Sequence, residues 1–138
     1  MESNNRSLSW QDIYKQLQKL VKKLENKKVK LYGIPRGGQV VSGLLGIYKN
    51  ITIVDNTEIH KADVIVDDLF DSGTTYKKWK KLYPKAEYLF LYDKREKKYK
   101  NQWLEFPWEN SGDKEVEENV IRLLEYFGED VTREGLKD

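Results

Sequence analysis

The chain has no cysteine, which removes disulfides, thiolate metal sites and cysteine nucleophiles together. Its single histidine, His60, reads as a loop residue rather than a metal ligand. No apolar run approaches the roughly 18 to 20 residues that span a bilayer, and the stretch Met1 to Arg6 has no apolar segment of the signal-peptide kind. No membrane association is expected, and the cytoplasm is the expected compartment. What the sequence does hold is bulk: four Trp, nine Tyr and four Phe among 138 residues, material for a core that a disordered chain usually lacks. With 38% hydrophobic and 35% charged residues, the expectation is one heavily charged globular domain.

The net charge of +2 hides an asymmetry. From Glu109 to Asp138 ten acids face four bases, so the first 108 residues carry the positive excess. Lysines concentrate between Lys15 and Lys30 and between Lys77 and Lys100. Such runs read either as solvated helix faces or as a field that attracts phosphorylated partners. Charge alone does not separate a nucleotide from a nucleic acid.

Ser9 and Asp12 have capping-box spacing, with Asp in place of the usual Glu. Trp10, Ile13, Tyr14, Leu17, Leu20, Val21 and Leu24 recur at helical intervals, so a helix is expected from Trp10 to about Glu25. Val29 to Tyr32, Ile51 to Val54, Asp63 to Val66 and Ala86 to Tyr92 read as strands. Gln39 to Tyr48 and Gly73 to Leu82 read as helices between them, the second ending before Pro84. This alternation predicts an α/β domain with a parallel sheet covered on both faces. Trp103 to Trp108, which contains Pro107, is expected to form an irregular lobe. Val116, Val120, Leu123, Leu124 and Phe127 mark a final helix stopped at Gly128.

The chemistry concentrates in Val64 to Thr75. A buried-type strand ends in Asp67 and Asp68; Asp71 follows, then Ser72-Gly73-Thr74-Thr75 opens a helix. In open α/β sheets ligands bind beyond the carboxyl ends of strands. The turn would present N–H groups and hydroxyls at a helix N-terminus, where a phosphate fits. Adjacent strand-end carboxylates point to different sides and suit a sugar diol and a hydrated Mg²⁺. Taken singly, the acid pair also reads as a strand end meeting water, and Ser-Gly-Thr-Thr as an N-cap. The spacing of a Walker P-loop and of Gly-x-Gly-x-x-Gly is missing.

Val64 to Thr75 resembles the signature with which type I phosphoribosyltransferases bind 5-phosphoribosyl-1-pyrophosphate (PRPP). Gly33-Ile34-Pro35-Arg36-Gly37-Gly38 is similar to the pyrophosphate loop after that family's first strand. Trp103-Leu104-Glu105-Phe106-Pro107-Trp108-Glu109 resembles the base-binding hood of bacterial xanthine-guanine phosphoribosyltransferases. The resemblance implies a Rossmann-like phosphoribosyltransferase core with a small hood over residues 1–110, then a C-terminal helix and tail over 111–138.

It also implies roles. Asp67 and Asp68 would hold the ribose diol, with Asp68 near Mg²⁺. Asp71, Ser72, Gly73, Thr74 and Thr75 would take the 5′-phosphate, with Asp71 also the general base or acid beside the purine. Arg36, Gly37 and Gly38 would bind pyrophosphate, with a cis bond expected between Pro35 and Arg36. Trp103 would stack on the base, Lys94 donate to O6, and the Leu104 backbone and Glu109 carboxylate read the C2 edge. Lys94 also reads as one solvated lysine among many, and Trp108 as packing.

The implied reaction is displacement of pyrophosphate from PRPP by a 6-oxopurine (guanine, xanthine or hypoxanthine), with no nucleic-acid partner. The same resemblance implies a homo-oligomer. It also implies a long mobile loop between Ile51 and Asp63, where this sequence has only a strand and eight residues, Asp55 to Ala62. That brevity keeps open a second function, a PRPP- or nucleotide-binding regulatory module with little turnover. Glu118 to Asp138 resembles the N-terminal helix region of GTP cyclohydrolase I, which implies the start of a fused second domain or its remnant. That enzyme's Cys and His zinc ligands have no counterparts here, so no cyclohydrolase activity is expected.

Overall fold

The computed structural model describes residues 5–109. The expected capping box starts the first helix, α1 (Trp10–Leu24). Ser9 Oγ accepts from the Asp12 N–H at 3.1 Å, and the Asp12 carboxylate accepts from the Ser9 N–H at 2.9 Å. Ile13, Leu17, Leu20 and Leu24 then fall on one buried stripe, while Lys15, Lys19, Lys22 and Lys23 stay in water.

Four strands follow: β2 (Val29–Gly33), β3 (Ile51–Ile53), β4 (Val64–Phe70) and β5 (Glu87–Asp93). They form one parallel sheet in the order β3-β2-β4-β5. The helices α2 (Gly37–Leu45) and α3 (Thr74–Leu82) link β2 to β3 and β4 to β5. Strand period decides which residue meets which layer. Leu31, Val64, Val66, Leu89 and Leu91 face α1 and α2 in the larger core, with Val41 and Leu45 fully enclosed. Tyr32, Ile34 and Ile65 face the other way, toward Trp79 and Tyr83 of the α3 segment and Ile59 and Ala62. Each fully buried aliphatic side chain contributes about 1.5–3 kcal/mol, so the face under α1 and α2 holds most of the stability.

The expected second helix begins two residues early, at Gly37, and ends at Leu45, where the Gly46 N–H closes on Ser42 O at 2.8 Å. Two glycines at its start let it pack against the sheet before any side chain intervenes. The link from β3 to β4 holds a short 3₁₀ helix, Asn56–Lys61, that the sequence pattern did not suggest. Asp55 caps it by accepting from the Thr57 N–H at 2.8 Å, and Tyr32 pins it by donating to Asn56 Oδ1 at 2.6 Å.

The expected irregular lobe is corrected in part. Trp103–Glu105 is a strand, β6, paired in parallel with β1 (Asn5–Ser7) in a separate two-stranded sheet. The N-terminal segment supplies the partner, and Asn-Arg-Ser has no apolar alternation to announce it. Pro107 opens a 3₁₀ turn, Pro107–Glu109, directly after. Leu104 and Phe106 anchor this hood in the main core, and Phe106 stacks on Trp108 at 4.8 Å, which makes Trp108 a packing residue as expected. No helix among the described residues is long and apolar enough to cross a membrane. The expected C-terminal helix and the tail resembling GTP cyclohydrolase I lie outside the described residues.

Candidate functional site

From β2 the chain moves outward to β3, then returns past β2 to β4 on the other side. The segments leaving the carboxyl ends of β2 and β4 therefore diverge, and a crevice opens between them, where open α/β sheets take ligands. Both motifs singled out in the sequence are at this crevice: residues 34–38 after β2, and 67–75 at and after the end of β4.

On the β2 side, the Pro35–Arg36 bond is cis, as expected. Arg36 is exposed at the entry to α2 and has no side-chain capping bond there. The next residues are bare because they must be. A Cβ on Gly37 would overlap the carboxylate of Asp68, and one on Gly38 would meet Val66 O at 2.5 Å. The two glycines thus bring the N-terminus of α2 against the end of β4, with the Asp68 carboxylate between them.

On the β4 side, Asp67 is buried and Asp68 half-buried, and Asp67 Oδ1 accepts from the Asp68 N–H at 2.9 Å. Burial pushes the Asp67 carboxyl up to about 8, with the neighbouring Asp68 charge adding to it. Burial raises Asp68 as well. Among the described residues no lysine or arginine forms an ion pair with either acid. Two enclosed carboxyls without a cation are costly for folding alone. They become useful when hydroxyl donors or a metal arrive.

The following turn is built as a cup. Gly73 has φ +91, a left-handed conformation that L side chains rarely adopt, and its Cα passes over the tip of the Phe70 ring. Ser72 Oγ lies 2.9 Å from Thr74 Oγ1 and accepts from the Thr74 N–H at 3.3 Å. Thr74 and Thr75 start α3 exposed, so hydroxyls and first-turn N–H groups share one helix N-terminus.

A third cluster joins this turn to the hood. Lys94 follows β5, and its Nζ lies 3.3 Å from Asp71 Oδ1 and 6.0 Å from the centre of the Trp103 ring. The Lys94 side chain is only 15% exposed, against 59% for Asp71 and 64% for Trp103. It is not a freely solvated lysine. Leu104 is buried, with its backbone in the β1–β6 ladder opposite Arg6, while Glu109 Oε1 accepts from the Phe106 N–H at 3.1 Å. The structure thus brings Asp71, Lys94 and Trp103 together. It places Leu104 and Glu109 in the hood, with one Glu109 oxygen engaged by the hood's own backbone. His60 is exposed in the 3₁₀ helix. No cluster of three metal-ligating side chains occurs among the described residues.

Sequence reasoning missed Phe70 and Arg95, which lie directly behind the turn. Arg95 stacks on Phe70 at 3.8 Å. The one available signal was the placement of both residues at strand ends beside motif residues.

No protein-family model matches the chain, and no curated protein matches it. Among solved structures, the chain is similar to the Helicobacter pylori xanthine-guanine-hypoxanthine phosphoribosyltransferase, with 19% identity and a TM-score of 0.51 over 83% of this chain and 99% of that one. The fold is that of the phosphoribosyltransferases. Within this fold the glycine-lined loop follows β2, the strand-end acids and the turn end β4 and open α3, and Gly37 lies against Asp68.

Proposed function

We propose that the protein transfers a 5-phosphoribosyl group from PRPP to a 6-oxopurine and releases pyrophosphate. The observation that carries this reading is the convergence of Asp71, Lys94 and Trp103, from three separate elements, beside the acid pair and the turn. A phosphate cup alone would serve many ligands. A stacking ring, an ammonium and a carboxylate beside it select a planar base that has both an acceptor and an acidic N–H.

The turn at Ser72 to Thr75 holds the 5′-phosphate with hydroxyls and helix N–H groups. Asp67 and Asp68 accept from the ribose hydroxyls. Arg36 and the uncluttered backbone of Gly37 and Gly38 hold the pyrophosphate. Trp103 stacks on the purine, and Lys94 donates to O6. The C1′–O bond to pyrophosphate breaks as a purine nitrogen bonds to C1′, and Asp71 manages the proton the base gives up. Charge builds toward an oxocarbenium-like arrangement, so fixed dipoles and positioning supply the rate. The acid pair offers hard oxygen donors of the kind that would hold Mg²⁺. Bound there, the ion supplies charge neutralisation of the leaving group.

A second reading, PRPP or nucleotide binding without efficient turnover, is favoured by the short β3–β4 connection. That segment is taken up by the crossover and packs on the sheet through Ile59 and Ala62. Pyrophosphate release from PRPP and Mg²⁺, with guanine, xanthine, hypoxanthine and adenine tested separately, decides between the two. Release with a 6-oxopurine, abolished by Asp71→Asn, supports the transferase. PRPP binding with no release from any base leaves the regulatory module.

A further inference from the structure

The geometry points to Phe70 and Arg95 as positioning residues that hold the phosphate turn in its binding shape from behind. This inference rests on the function proposed above and extends it to side chains outside the ligand-facing motifs.

Asp93 ends β5 opposite Phe70 at the end of β4. Its carboxylate grips Arg95 through the Arg95 N–H at 2.9 Å, through Nε at 2.9 and 3.1 Å, and through the terminal nitrogen at 2.6 Å. That grip fixes the guanidinium plane, and its centre lies 3.8 Å from the middle of the Phe70 ring. Phe90 meets the same ring edge-on at 5.1 Å, and Tyr76 of α3 approaches it at 5.7 Å. The Phe70 ring has little freedom to turn. Its tip is what Gly73 passes over: a Cβ on Gly73 would stand 3.0 Å from Phe70 Cζ.

The β5 exit reaches the turn by two further contacts. The Lys94 N–H donates to Phe70 O at 2.9 Å, and the Lys94 ammonium pairs with Asp71. Residues 93–95 therefore hold residues 70 and 71 directly, and reach Gly73 through the Phe70 ring. A lysine at position 95 would keep the charge but lose the plane and the bidentate grip. A hydroxyl on the ring tip, as in Phe70→Tyr, would intrude on the space of Gly73.

The test uses the whole chain with two readouts: ribose 5-phosphate affinity by calorimetry, and ligand-free hydrogen exchange of the Lys77 amide, which donates to Gly73 O at 2.9 Å. In Arg95→Lys, Arg95→Ala and Phe70→Tyr, ribose 5-phosphate affinity should fall about tenfold or more. Exchange at Lys77 should quicken while that of Ile65 and Val66 holds. Wild-type affinity in Arg95→Lys would overturn the inference, as would a lowered melting midpoint with affinity intact. If the wild-type chain binds neither ribose 5-phosphate nor, with Mg²⁺, PRPP, the proposed function falls. The positioning role then stands with faster Lys77 exchange in the variants and falls with unchanged exchange.

Discussion

The carboxylate of Asp68 rests against the Cα of Gly37, in the space where any other residue would carry its Cβ. One contact thereby ties the loop after β2 to the acid pair that ends β4, and the distance across the crevice is fixed by the absence of a side chain. Gly37→Ala should push Asp68 aside and raise the PRPP dissociation constant or KM by roughly ten- to a hundredfold, the scale of a displacement of about 1 Å in a positioned site. Titration calorimetry with PRPP and Mg²⁺ checks it. An unchanged constant would mean that this contact does not set the site.

Trp103 is the most exposed large hydrophobic residue described, yet it lies within 6.0 Å of the Lys94 ammonium. Trp103→Ala should cost about 1–3 kcal/mol of purine affinity and leave PRPP binding unchanged. Equal loss of both ligands would show that the ring supports the hood rather than the base.

The acid pair gives the ligand-free protein a specific pH response. Asp67 titrates higher in the fold, at about 8, than in an unfolded chain. The native state therefore binds protons more tightly than the unfolded state between the ordinary aspartate range and about pH 8. Stability should be highest at the acid end of that window and fall as pH rises through it. The raised Asp68 acts in the same direction. Asp12, Asp55 and Asp93 are held low by their hydrogen bonds to Ser9, Thr57 and Arg95, so their losses come only below the ordinary range. Urea unfolding at pH 5 and pH 8 measures the slope, which Asp67→Asn should flatten. A flat wild-type profile would contradict the burial of that charge.

At the start of α1, Ser9→Ala removes one half of the capping box and should cost about 1 kcal/mol of stability. PRPP and purine affinities should not move. A lower melting temperature with intact ligand binding is the expected result, and a change in ligand binding would tie α1 to the site.

Several parts of this architecture were legible in local pattern. The α1 stripe, the capping box, the four main strands and the strand–acid–turn run each depend on residues within about a dozen positions of one another. The hood was less legible. β6 pairs with β1 across nearly a hundred residues, and the three residues of β1 are all polar. The 3₁₀ helix at Asn56–Lys61 was hidden for another reason: its cap and its tether to Tyr32 are polar contacts with no periodicity.

The sequence by itself determined where acids, hydroxyls and bare backbone stand along the chain, because strand and helix periods are properties of neighbours. Only the tertiary structure decided that Lys94 is enclosed between Asp71 and Trp103, that Asp68 meets Gly37, and that Arg95 lies on Phe70. Those pairs are made by strand order and by the turn after β5. Both are settled when a whole sheet packs against its helices and buries the apolar faces, and no short stretch of residues encodes them.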